Sequence, residues 1–206
     1  MKTIKTTKTG YNKLLKTALY KNHFHIRILL ANSELIEIND FIYEINKLPN
    51  NLVVNGDLCI RGFKSLFELP DNLTVNGDMT VIYCSSLTKL SHNLRINGHL
   101  YLNRCLSLTS LSDNLTVTGD IIEECPINKL GNNITVGNDF DLEFCKQLQK
   151  MPLNLTVGND LSLIGCLQIN KLHDTMKVGR EIHISKSMKD KLRKPRHLKD
   201  KIVSIH

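Results

Sequence analysis

The sequence predicts a mostly β fold, a single right-handed β-solenoid of about seven 21-residue coils, with a short N-terminal helix and strand cap and a basic C-terminal cap. Three observations predict it. A segment repeats at a period near 21, strand-like alternation and corner residues fall at the same places in each copy, and one cysteine returns per copy. A period in this range held over many copies is the signature of coils that stack on one another.

The copies begin at Leu48, Leu69, Leu90, Leu111, Leu130, Met151 and Leu172, so the spacing is 21 residues except for one copy of 19. The clearest copy runs from Leu69 to Lys89 and reads LPDNLTVNGDMTVIYCSSLTK. Within it, Leu73-Thr-Val75 and Met79-Thr-Val81 alternate apolar with polar, the pattern of short half-buried strands. Asn76-Gly77 turns the chain between them, and the Leu69-Pro70-Asp71-Asn72 group turns it before the first. No copy holds a run long enough for an ordinary helix. Asn-Gly between two strands is also a hairpin signal. A row of hairpins, however, does not require the same side chain at the same place every 21 residues. Stacked coils do require it, because like then lies on like. Each strand then pairs in parallel with its copies about 4.8 Å away, and seven coils stack to roughly 34 Å.

Cys84, Cys105, Cys125, Cys145 and Cys166 return at spacings of 20 or 21 residues, and Phe63 holds their place in the first copy. The reading is a buried ladder of small thiols. No CxxC spacing occurs, and one thiol per coil does not gather four ligands around a metal. In a reducing compartment the thiols stay free.

The segment Met79-Thr-Val81-Ile-Tyr-Cys84-Ser-Ser-Leu87 resembles the strand and ladder portion of leucine-rich repeats, and Leu69-Pro70 resembles the short repeats of secreted bacterial effectors. The Leu-Thr-Val-x-Gly insertion departs from those effectors and looks more like a variant found in bacterial and phage repeat proteins. The resemblance covers about two thirds of the chain. It implies a leucine-rich-repeat-like solenoid and, for function, only a binding surface, since such repeats mostly bind other proteins. The ubiquitin-ligase domain that follows some effector repeats has no counterpart in the 22 residues after Ile184.

The organisation expected is an N-terminal cap over 1–47, the solenoid over 48–184 and a basic cap over 185–206. Basic residues outnumber acidic ones eight to four in 1–47 and eight to two in 185–206, whereas in 48–184 they stand at eleven to fourteen. The net charge of +7 therefore resides at the two ends. The core is aliphatic: hydrophobic residues make up 41% of the chain, but there is no Trp and aromatics are only 5%. No stretch is apolar enough for a membrane span, and the basic N-terminus lacks the apolar core and cleavage site of a signal peptide. A cytoplasmic protein is expected, in a host cytoplasm if a virus encodes it. Asn72, Asn114, Asn133 and Asn154 match the N-glycosylation pattern but read better as corner residues ahead of strand threonines.

In order, Tyr11 to Lys21 places Leu14, Leu15, Ala18 and Leu19 at helical spacing, an amphipathic helix covering the first coil. His23 to Leu30 alternates as a strand. His23 and His25 share a face of it, but no third ligand stands nearby, so no metal site is expected. Residues 35–47 echo later copies and read as a degenerate first coil, since solenoids need atypical ends. Beyond Ile184, Ser185 to Leu192 reads as one or two helical turns capped by Ser187 and ended by Pro195. His197 to His206 reads as an edge strand. The basic cluster Lys186, Lys189, Lys191, Arg193, Lys194 and Arg196 suits either a nucleic-acid backbone or protection of that edge. It lacks interleaved aromatics that would stack bases.

The strand after the Asn-Gly corner should build the main sheet. Its first outward column is Asp57, Asp78, His99, Asp120, Asp139, Asp160 and Glu181. Like charges stacked at strand spacing repel, so this column needs a cause. One cause is corner chemistry, with each Asp bonding backbone amides. The other is an acidic strip for a basic partner. The second and third columns vary from coil to coil. The face expected to bind a partner comprises Asp78, Thr80, Tyr101, Asn103, Asp120, Ile122, Asp139, Asp141, Glu143, Asp160, Ser162 and Ile164.

A non-enzymatic protein-binding solenoid follows. Its small size and richness in Lys, Asn and Ile suit a phage-encoded inhibitor or adaptor directed at a host bacterial immune protein. The alternative is a nucleic-acid-binding protein that uses the basic termini. No catalytic residues, metal or cofactor are expected: nucleophile elbow, phosphate loop and metal signature are all missing, and a carboxylate repeated in every coil is not a unique catalytic constellation. Either a monomer or a dimer through solenoid ends or faces is compatible with the pattern.

Overall fold

The computed structural model describes residues 35–38, 41–44, 48–143 and 145–205. From residue 48 onward the chain winds as a β-solenoid of about seven turns, with two parallel sheets running its length. The wide sheet has eight strands: Leu58–Arg61, Met79–Ile82, Leu100–Asn103, Ile121–Glu124, Phe140–Asp141, Leu161–Leu163, Ile182–Ser185 and Ile202–Ile205. The narrow sheet has seven two-residue strands, from Val53–Val54 to Lys177–Val178. A third side is only sketched, by Ser110–Leu111 beside Lys129–Leu130 and by single bridges Glu68 to Lys89 and Lys171 to Arg193.

The register excludes a row of hairpins. Thr74–Val75 and Met79–Ile82, the two strands of one copy, lie in different sheets. Met79 pairs with Leu58 on one side and Leu100 on the other, and Thr74 pairs with Val53 and Arg95. Every strand of the two long sheets therefore takes its partners one coil away. Alternation then sorts the side chains: Leu58, Met79, Leu100, Ile121, Phe140, Leu161 and Ile182 form one inward column, buried throughout. Burial of aliphatic chains in such columns drives the stacking, at roughly 25 cal/mol per Å² of apolar surface removed from water. The five ladder cysteines are free thiols and are buried, as is Phe63 beneath them.

The corners are held by polar ladders that run the length of the stack. Asn51, Asn72, Asn93, Asn114, Asn133 and Asn154 all adopt positive φ, between 54° and 61°. Asn tolerates this left-handed conformation better than other side chains. From Asn72 onward each donates its side-chain amide to the oxygen of the asparagine one coil before, at 2.8–2.9 Å. The predicted corner asparagines are thus a continuous amide ladder, which Thr175 ends by donating no such amide and instead accepting from the Asn154 N–H at 3.0 Å.

The second corner obeys a steric rule. A Cβ on Gly98 would lie 2.7 Å from Gly77 O, and one on Gly158 only 1.8 Å from Gly137 O. Backbone of adjacent coils touches here, so only glycine fits. The glycine stands second in Asn55-Gly56, Asn76-Gly77, Asn97-Gly98 and Thr118-Gly119, then first in Gly137-Asn138, Gly158-Asn159 and Gly179-Arg180. The stack thus comprises two blocks, coils 1–4 and coils 5–7, with different corners.

Both ends differ from expectation. Leu35–Ile38 and Phe41–Glu44 pair with each other in antiparallel register, Leu35 opposite Glu44 and Ile38 opposite Phe41. They form a hairpin rather than a degenerate coil, because the two residues between them allow only a direct reversal. The predicted helix at 11–21, the strand at 23–30 and the His23–His25 pair lie outside the described residues. At the other end, residues 186–205 add a further turn. A 3₁₀ helix spans Lys186–Met188, a second spans Arg196–Lys201, and Ile202–Ile205 closes the wide sheet in parallel with Ile182–Ser185. Ser185, not Ser187, precedes the first helix, and its hydroxyl accepts from Gly165 N at 3.0 Å. Pro195 begins the second helix instead of ending the first. Met188, Leu192 and Leu198 are buried, which fastens this turn to the core.

Candidate surface on the wide sheet

Six of the twelve residues expected to meet a partner, Thr80, Tyr101, Asn103, Ile122, Asp141 and Ser162, lie in strands of the wide sheet, whereas Asp78, Asp120, Asp139 and Asp160 immediately precede its strands and Glu143 and Ile164 follow them. Parallel pairing aligns Cys59, Thr80, Tyr101, Ile122, Asp141, Ser162, His183 and Val203 in one unbroken column. Arg61, Ile82, Asn103 and Glu124 begin the next, which Glu143, Ile164, Ser185 and Ile205 continue along the sequence. Ile122, Asp139 and Glu143 are exposed, and the other nine predicted residues are half-buried.

The first column has a structural cause. Each aspartate of the column accepts the backbone N–H of its counterpart one coil on. Asp57 takes it from Asp78 and Asp78 from His99, both at 2.8 Å. Asp120 takes it from Asp139 and Asp139 from Asp160 at 3.0 Å, and Asp160 from Glu181 at 2.9 Å. The corner reading therefore holds, with the difference that the amide belongs to the neighbouring coil and not to the same corner. A hydrogen bond from an N–H to a charged oxygen offsets the repulsion between stacked carboxylates. His99 substitutes with its ring: Nδ1 lies 3.1 Å from Asp120 N and 3.0 Å from Asp120 Oδ2.

Away from that column the side chains are freer and their chemistry changes coil by coil. Coils 1–3 present Arg61, Tyr83 and Arg104, with the two guanidiniums 5.7 and 5.6 Å from the Tyr83 ring. Tyr101 lies beside His99, ring centres 5.9 Å apart. Coils 4–6 are acidic: Glu124, Asp141, Glu143 and Asp160 stand around Ile122, which is 43% exposed, and the half-buried Ile164. Asp141 accepts from Glu143 N at 2.9 Å, and Asn103 donates to Glu124. Glu124 belongs to this face although sequence reasoning omitted it. Glu124 stands four residues after Asp120, as Asn103 stands four after His99, so the same alternation places it in the third column.

Sequence reasoning also missed Glu123, the one buried acid among the described residues. It pairs with Leu102 and is 1% exposed. Burial pushes its carboxyl above the ordinary carboxylate range, although the Cys145 thiol and the Cys125 amide bond to the charged form. Burial also raises the thiols of Cys145 and Cys166, the latter up to about 12, with the Glu123 charge adding to both. These cysteines are therefore neutral, unreactive core groups at ordinary pH.

The basic cluster lies apart from the face. Lys186, Lys189, Lys191, Arg193 and Arg196 are exposed and Lys194 is half-buried, its ammonium donating to Lys189 O at 3.4 Å. They occupy the connection that precedes the last strand. Ile202–Ile205 itself carries no basic residue, and Arg196 stands in the 3₁₀ helix that leads into it. A cleft of about 380 Å³ opens on the Leu-Pro side, lined by Asn50, Glu68, Asp71, Lys89 and His92. Among the described residues no group of three or more His, Cys, Asp or Glu side chains could hold a metal ion. No helix among them is long and apolar enough to cross a membrane.

The chain matches no protein-family model, and no curated protein or solved structure is significantly similar to it.

Proposed function

We propose that the chain is a non-enzymatic, leucine-rich-repeat-like binding module that docks a protein partner on the outward face of the wide sheet, centred on coils 4–6. One observation carries the reading. Apart from Glu123 the inward columns stay apolar, whereas the outward column runs Thr80, Tyr101, Ile122, Asp141, Ser162, so side-chain chemistry varies most where stacking does not dictate it. The Ile122 and Ile164 side chains ringed by acids suit a partner with an apolar centre and a basic rim. On the same reading the protein works in the cytoplasm as an inhibitor or adaptor, encoded by a phage and directed at a host immune protein. Its small size and Lys, Asn and Ile richness support this part.

The test is affinity capture from bacterial lysate, run with and without nuclease, using the intact chain as bait. Neither Ile122 nor Glu143 has a side-chain role in the ladders, so the pair Ile122→Arg and Glu143→Lys changes the face and leaves the frame. The expected result is one protein recovered stoichiometrically by the native chain, with affinity reduced at least tenfold in the double variant. Recovery of nucleic acid that disappears with Lys189→Glu and Lys191→Glu would instead assign function to the basic connection and overturn the proposal.

A further inference from the structure

Coils 4 and 5 meet at a seam unlike the others. Coil 4 has 19 residues. In coils 2 and 3 the wide-sheet strand ends in a left-handed residue, Tyr83 with φ 57° and Arg104 with φ 52°. Coil 4 lacks that residue, and Cys125 follows Glu124 directly. The corner glycine changes place at the same seam, between Thr118-Gly119 and Gly137-Asn138. The inward column, aliphatic in the neighbouring coils, here holds the Glu123 carboxyl.

That carboxyl is bound to both coils. Oε2 accepts from Cys125 N at 2.9 Å in coil 4, and Oε1 accepts from Cys145 Sγ at 2.8 Å in coil 5. Other ladder thiols donate across the stack to backbone carbonyls: Cys84 to Ile60 O at 3.8 Å, Cys105 to Val81 O at 3.6 Å and Cys166 to Leu142 O at 3.1 Å. Glu123 has thus displaced the backbone from its usual role at this rung. The titratable groups that face it are the thiols of Cys125, Cys145 and Cys166 and the carboxylates of Asp141 and Glu124. Every charge among them is negative. An ionised carboxylate in such a place has no cation among the described residues to balance it, and a buried unpaired charge is strongly destabilising.

We propose that the seam between coils 4 and 5 is a pH-operated joint: the stack is continuous while Glu123 is protonated, and loss of that proton to solvent loosens coil 4 from coil 5. The sign follows from linkage. The closed form holds the proton more tightly than the open form, so the contribution to stability is complete below the ordinary carboxyl value of about 4.3 and is lost as pH rises through the raised value. Between those limits each opening releases one proton, and the opening constant rises about tenfold per pH unit. Above the raised value it levels off.

Native-state hydrogen exchange of the full chain across a pH series tests this, after correction for intrinsic exchange. The reporters are Ile121 N, bonded to Asp139 O, and Thr135 N and Gly137 N, bonded to Leu115 O and Val117 O, all across the seam. Met79 N and Asn97 N, bonded to His99 O and Val75 O, serve as references within the first block. The expected result is a tenfold loss of protection per unit at the seam, a flat response at the references, and no seam response in Glu123→Gln or Glu123→Leu. The leucine variant matches its neighbour Leu102 and keeps the test valid should the glutamine variant not fold. Seam amides that follow the references, or a slope that persists in either folded variant, would overturn the proposal.

Discussion

Phe140→Ala is expected to lower the unfolding free energy by about 3–5 kcal/mol, the largest effect of any single truncation in the core. Phe140 is the largest fully buried side chain and is 0% exposed. It sits in the inward column between Ile121 and Leu161, its partners in the coils on either side. Removing the ring leaves a hole that these neighbours cannot fill, because their backbones are fixed by pairing to the next coils. Phe140→Leu, which reproduces the side chain found one coil on, should lose roughly half that or less. Urea unfolding monitored by far-ultraviolet circular dichroism measures both. Similar losses for the two variants would show that the column does not pack as described.

The second large effect is Gly158→Ala, at about 3 kcal/mol, for a residue on the outside of the molecule. The added methyl would lie 1.8 Å from Gly137 O and 2.7 Å from Gly137 C, so the two coils must separate. Separation strains the bond from Gly158 N to Val136 O, now 2.9 Å. Gly62→Ala is the control. Nothing lies within 4 Å of its Cβ, and only its φ of +76° opposes the change. That conformation costs roughly 1–2 kcal/mol for a residue with a Cβ. A Gly158→Ala variant no less stable than Gly62→Ala would mean that the coils do not touch at this corner.

These two residues illustrate why the fold was legible. A period of 21 with one strand pattern per copy leaves little choice: each coil can bury its apolar face only against the next, and like positions must align. Phe140 could be assigned to the core from its place in the copy. The glycine requirement could be stated as a turn but not as a close approach, since distance between coils is invisible in one copy. The acidic column shows the same limit. Its recurrence suggested backbone bonding, but only stacking reveals that Asp139 serves the amide of Asp160.

Where the period breaks, the sequence misled. Residues 35–44 resemble a copy in composition, but local reversal paired them with each other. Residues 186–205 bear little likeness to a copy, and yet they make a further turn, because buried Met188, Leu192 and Leu198 substitute for the usual leucines at irregular spacing. Glu123 was overlooked although alternation along Ile121-Ile-Glu-Glu points it inward. A carboxyl in an apolar column contradicts the pattern that was used to find the column. The surface chosen for binding was legible only as geometry: its columns followed from the register, but variation in the side chains does not name what they meet.

The most direct test of the whole arrangement is deletion of one complete coil, Leu90 to Ser110, followed by denaturant unfolding. Coils 2 and 4 share the same corner order, so joining Lys89 to Leu111 restores every ladder across the gap. The account predicts a soluble protein with the same β-sheet spectrum and one cooperative transition. Its denaturant slope should fall by roughly one seventh, in proportion to the surface removed. Aggregation of the shortened chain, or loss of its β-sheet signal, would contradict the claim that identical coils stack in register.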